Sequence, residues 1–120
     1  GYDLICTCLT FHDLTDQGKQ AVIAWCARHL NAGGYLFIYD RIRLTEAKLF
    51  PLQRSIWKRI EAVYGRGMRD APDFAAYESD LGQGNDPATF ASYLAWYAEA
   101  GMDAACLHLH GNIALFAGAS

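Results

Sequence analysis

The chain has 120 residues, enough for one compact domain with a core of its own. Its composition, 52% hydrophobic and 19% charged, excludes a disordered tail, and a net charge of −3 gives no electrostatic footprint for nucleic acid. No apolar run is long enough to span a membrane and no signal-peptide pattern is present, so the expected location is the cytoplasm, with no membrane partner.

Residues 2–9 form a nearly continuous apolar run of β-formers, the pattern of a strand buried on both faces of a parallel sheet. Cys6 and Cys8 lie two apart there. No second pair with metal-ligand spacing follows, and small buried thiols in a reducing compartment are expected. After a polar break, Thr15 or Asp16 caps a helix over residues 17–30. Its inward stripe is read as Val22, Trp25, Cys26, His29 and Leu30, with Lys19, Gln20 and Arg28 off it. His29 is then a satisfied buried or boundary histidine. The Asn31-Ala32-Gly33-Gly34 turn supplies a glycine for a left-handed cap. Residues 35–39 are the next strand, closed by Asp40; strand, helix and strand make a right-handed βαβ unit.

Residues 41–86 break the alternation. Pro51 suits a first helical turn, and Leu52, Ile56, Ile60 and Val63 carry the helix to about Tyr64. Its basic group, Arg54, Lys58 and Arg59, reads as a solvated face. A weaker helix is expected near residues 74–80, in a stretch (65–86) that holds four glycines. Asp86 and Pro87 are placed to cap and start a further helix with Phe90, Tyr93, Leu94 and Tyr97 on its apolar face, stopped by Gly101. Residues 104–108 and 112–117 then form an antiparallel hairpin through His110-Gly111. The tryptophans sit at amphipathic helical positions and are read as packing.

Three stretches carry a family resemblance. YDLICTCLTFHDL, residues 2–14, resembles the fourth-strand motif of class I S-adenosylmethionine-dependent methyltransferases, with Asp13 where a second His is usual. LNAGGYLFIYD, residues 30–40, is similar to the turn and fifth strand, with Ala32 in place of Pro. DPATFASYLAWYAEAGMD, residues 86–103, resembles the family's ending. Together they span nearly the whole chain. The fold implied is α/β: the C-terminal half of a Rossmann-like methyltransferase domain over residues 1–120, a three-layer arrangement with a helical insert at 41–86 and a final hairpin whose last strand is reversed. The family's glycine-rich cofactor loop and ribose-binding acid lie in its other half, outside these residues.

The resemblance implies methyl transfer from S-adenosylmethionine, by the intact protein, to a small-molecule or tRNA acceptor; the 120 residues alone are expected to be inactive. Ligands of open α/β sheets sit beyond the carboxyl ends of the strands, which selects residues 9–12 and 40–43. By resemblance Leu9, Thr10 and Phe11 line the cofactor. His12 deprotonates or orients the acceptor, or else caps the following turn. Asp40 faces the substrate, or else pairs with Arg41 or Arg43 or caps the insert; Arg41 and Arg43 are candidate substrate-binding residues. His108 and His110 lack further ligands at a shared point, so no metal is expected. A different reading is a non-catalytic α/β module for oligomerisation or partner binding. Strand 2–9 would expose an unblunted edge, from which a homodimer or pairing through that strand is expected.

Overall fold

The computed structural model describes residues 1–65, 70–82 and 84–120. Chain order is β1 (Tyr2–Cys8), a 3-10 turn (Phe11–Asp13), α1 (Asp16–His29), β2 (Leu30–Arg41), a second 3-10 turn (Ala47–Leu49), α2 (Phe50–Tyr64), α3 (Phe74–Ser79), α4 (Phe90–Glu99), β3 (Asp103–His110) and β4 (Ile113–Ala119). Among the described residues four strands form one mixed sheet in the order β1-β2-β4-β3. β1 pairs with β2 in parallel, Leu4 opposite Tyr35 through Cys8 opposite Tyr39. β4 returns antiparallel between β2 and β3, so the last strand is the reversed one. Residues 66–69 and 83 of the glycine-rich stretch lie outside the described residues.

The core lies on one face. Leu36 and Ile38 of β2 and Ala114 and Phe116 of β4 meet Ile23 and Cys26 of α1 and Tyr93 and Tyr97 of α4, all buried. Gly118 makes that packing possible. A Cβ there would fall 2.3 Å from the Tyr97 ring, so only glycine lets the ring lie on the sheet. The Tyr97 hydroxyl then donates to the Leu36 carbonyl at 3.2 Å.

Several expectations are corrected by this one-sidedness. Among the described residues no helix covers the other face of β1, so the strand is not buried on both sides. Leu4, Cys6 and Cys8 are exposed on the bare face, and Tyr35 of β2 with them. The two thiols are therefore not core residues; Cys26 is. The stripe of α1 is rotated from its predicted phase. Lys19, Ile23 and Cys26 point inward, while Trp25 and His29 are exposed and stack on each other at 4.0 Å. The helix ends without a glycine: Leu30 is its extended C-cap, and Gly33 turns the chain three residues later at φ 78°. In α2 the buried residues are Phe50 and Trp57, whereas Leu52, Ile56 and Val63 are exposed. Thr89, not Asp86, caps α4, accepting from the Ser92 amide.

Tyr93 and Tyr97 are both fully buried but differently satisfied. Among the described residues the Tyr93 hydroxyl has no hydrogen-bond partner. Leaving a buried hydroxyl unmatched costs about 1–3 kcal/mol. Tyr93→Phe should therefore leave stability unchanged or raise it by about 1 kcal/mol, and Tyr97→Phe should lower it by about 1 kcal/mol, read as urea midpoints. Burial pushes both phenols up from their ordinary value, helped at Tyr93 by the Asp40 charge and at Tyr97 by Cys26. Folded protein keeps these protons where the unfolded chain has lost them. Stability is thus unaffected by either phenol below the unfolded value of 10.0 and falls as pH rises past it. Denaturation midpoints measured between pH 9 and 11 should show that fall, and a smaller one in Tyr93→Phe.

Candidate functional site

The carboxyl ends of β1 and β2 lie side by side, and the chain leaves β1 in a strained conformation. Leu9 has φ 52°, a left-handed backbone that costs a non-glycine residue about 1–2 kcal/mol. Its amide still donates to the Tyr39 carbonyl at 2.8 Å, so the strain falls where the ladder ends. Thr10 is exposed, with its hydroxyl on the Cys8 carbonyl at 2.9 Å. Phe11 then turns into the core against Tyr93, with ring centroids 6.3 Å apart, so it offers a ligand only its backbone.

The 3-10 turn brings His12 onto Asp40. The His12 amide donates to Asp40 Oδ2 at 2.6 Å, and its ring Nδ1–H donates to Oδ1 at 2.7 Å. The Arg41 amide donates to the same Oδ1 at 2.8 Å. Asp40 is fully buried, so its charge depends on these three donors. His12 is thus a partner of Asp40, and it does not cap α1; Thr15 does. With Nδ1 engaged, Nε2 is the ring's remaining nitrogen, and it lies 3.4 Å from Asp13 Oδ1. His12 keeps a small exposed fraction, 13% of its side chain, so the ring reaches the surface at one edge.

The insert closes over this same edge. The Arg43 amide donates to the Ala88 carbonyl at 2.8 Å and the Leu44 amide to the Tyr77 hydroxyl at 3.0 Å. Buried Asn112, in the β3–β4 turn, accepts from the Trp57 indole at 3.1 Å and donates to the Ile42 carbonyl at 3.3 Å. Between α2, α3 and that turn is a cleft of about 380 Å³ lined by Arg41, Trp57, Tyr77, Leu81 and Asn112, among others. Leu81 also borders a second, more open cleft of about 540 Å³ that reaches Asp13, Arg43 and Asp86. Arg43 is 3.8 Å from Asp86. The two arginines thus line adjoining clefts. Tyr77 and Asn112 were missed from sequence. An Asn after a turn glycine and a Tyr in a weak helix carry no periodic signal. Among the described residues no group of three or more His, Cys, Asp or Glu side chains is arranged to hold a metal.

No family model and no curated protein matches the sequence. Solved structures do. An O-methyltransferase family 2 protein from Planctomyces limnophilus, in complex with apigenin, matches 98% of this chain at TM-score 0.64 and 19% identity. PigF, solved with SAH, matches 99% at 0.63 and 21%. The mitomycin 7-O-methyltransferase MmcR matches 100% at 0.56 and 11%. The fold is that of the C-terminal part of a class I methyltransferase. The chain spans about 30% of the length of each of those three proteins.

Replacing Asp40 tests the bonds that hold the site. Asp40→Ala leaves three donors unmatched and should destabilise the chain by about 3 kcal/mol or more. Asp40→Asn keeps one acceptor oxygen and should cost clearly less, with both read from urea midpoints.

Proposed function

We propose that this chain forms the acceptor side of an S-adenosylmethionine-dependent O-methyltransferase, in which His12 removes the proton of an acceptor hydroxyl. The observation that carries the reading is the His12–Asp40 pair at the carboxyl end of the parallel strands, on a fold shared with enzymes of that chemistry. Asp40 holds the ring so that Nδ1 carries a proton and Nε2 is left as the base. The carboxylates of Asp40 and Asp13 then stabilise the positive ring that forms when Nε2 takes the acceptor's proton. The cleft beside Trp57 and Tyr77 suits a small aromatic acceptor, and the net charge of −3 argues against tRNA.

The residues present fit one side of the methyl donor. Leu9 presents an exposed apolar side chain from a strained backbone, and Thr10 is exposed beside it; strain of this kind is stored where a ligand is gripped. Phe11 fits only through its main chain. S-adenosylmethionine bound there supplies an activated methyl, so the chain's own task is alignment and proton removal. A second reading, a non-catalytic module that pairs through β1 or the bare sheet face, draws on the exposed Tyr2, Leu4 and Tyr35.

Two measurements separate these readings. Titrating the chain with S-adenosylhomocysteine should give no micromolar affinity by calorimetry, because the glycine-rich loop is not among these residues. At millimolar ligand the amide shifts of residues 9–12 should still move. Shifts confined to the bare face, with residues 9–12 silent, would favour the second reading. In a protein that joins these residues to a cofactor loop, His12→Ala should lower kcat by about 10²–10⁴-fold with little change in methyl-donor binding.

A further inference from the structure

Lys19 is a buried cation that the reading above leaves without a task. It sits in the second turn of α1 with its side chain fully enclosed. Its ammonium donates to the Leu14 carbonyl at 2.6 Å, to the Asp86 carbonyl, and to Asp16 Oδ1 at 3.3 Å. An ammonium has three protons, and here each has an acceptor. Burying a charge this way is costly unless every donor is matched, and a buried lysine at a helix position facing the core is uncommon.

Its acceptors are informative. Leu14 follows directly on the turn that holds His12, and the Leu14 amide donates to the Phe11 carbonyl at 2.9 Å. Asp86 ends the insert, and its amide donates to the His12 carbonyl at 2.7 Å. The ammonium therefore joins the chain segment that follows His12 to the one that bonds the His12 carbonyl. One segment belongs to the β1–α1 connection and the other to the insert that lines both clefts. Asp40 fixes the ring and amide of His12; its carbonyl is fixed by Asp86, and Asp86 is fixed by Lys19.

We propose that Lys19 is a positioning residue for His12, coupling the seat of the insert to the orientation of the imidazole. The inference rests on the reading of His12 as the base. It makes the insert's closure and the base's alignment one event: an insert lifted off Lys19 releases the His12 carbonyl at the same time.

The test is spectroscopic and needs neither methyl donor nor acceptor. In the unaltered chain the Lys19 ammonium protons should exchange slowly enough to give a proton–nitrogen correlation at neutral pH, with cross-relaxation to Leu14 and Asp86; absence of that signal overturns the proposal. In Lys19→Met the His12 ring, held in the Nδ1–H tautomer in the parent, should show a mixture of tautomers. Amide exchange at Asp86 should quicken about tenfold or more. The Trp57 indole N–H, in α2 and tied to Asn112 of the β3–β4 turn, should stay as it was. A folded Lys19→Met with an unchanged His12 spectrum overturns the coupling. Should that variant not fold, Lys19→Gln, with a neutral amide offering two donors, is read the same way. A chain that shows the coupling while the joined protein transfers no methyl group loses the proposed function alone. An active protein in which the Lys19 variants leave His12 unmoved loses only this inference.

Discussion

A buried carboxylate is the constraint on which the site depends. Asp40 is fully enclosed, and an enclosed charge persists only if its lone pairs are filled. β2 supplies one donor from its own next amide, and the remaining donors come from across the strand gap, on the 3-10 turn after β1. The pairing therefore dictates how the chain leaves β1. It must bend at Leu9, bury Phe11 beneath the turn and deliver both His12 donors within two residues. The unusual φ of Leu9 and the burial of Phe11 follow from that requirement.

The same edge shows why the insert is anchored as it is. Backbone groups freed where the sheet ends need partners, and later segments provide them: the Ala88 carbonyl before α4 for Arg43, the Tyr77 hydroxyl of α3 for Leu44, Asn112 of the β3–β4 turn for Ile42. The clefts are what remains between those anchors. Their walls mix rings, arginines and acids because the anchoring residues are polar and the packing residues of α2 and α3 are aromatic: Phe50 meets Trp57, Phe74 and Tyr77 edge-on or tilted, and Phe74 stacks on Tyr77. The geometry that closes the core's end thus also shapes a pocket next to His12's turn.

Much of the fold was legible in the sequence. Element order, the parallel pair, the hairpin with a reversed last strand, and helices at 50–64 and 74–79 all lie where periodicity and turn residues placed them. What failed was phase. In α1 the apolar pattern alone favoured Trp25 and His29, because a lysine is normally scored as solvent-facing. The actual inward face runs through Lys19, Ile23 and Cys26, since the ammonium is worth burying when backbone carbonyls converge on it. That convergence is tertiary and leaves no trace in a hydropathy pattern. In α2 the stripe through Leu52, Ile56 and Val63 is exposed for another reason: among the described residues nothing packs over it. Burial expected on both faces of β1 failed likewise, because a strand's side chains register the sheet's whole surroundings, and among the described residues nothing covers Leu4, Cys6 and Cys8.

The candidate site was legible in part, and the reason is topological. The carboxyl ends of adjacent parallel strands must lie together, so His12 after β1 and Asp40 at the end of β2 could be nominated without knowing that they touch. That rule gives neighbourhood only. Whether Asp40 faced solvent, an arginine or His12 turned on the length of the β1–α1 connection. Three residues of 3-10 turn are short enough to swing the His12 amide and ring onto one carboxylate. A longer connection would let the histidine cap the helix instead, and Asp40 would have to find the guanidinium of Arg41 or Arg43. Thr15 takes the cap, which leaves His12 free for Asp40, and the choice of cap one turn away thereby settles what the buried acid holds.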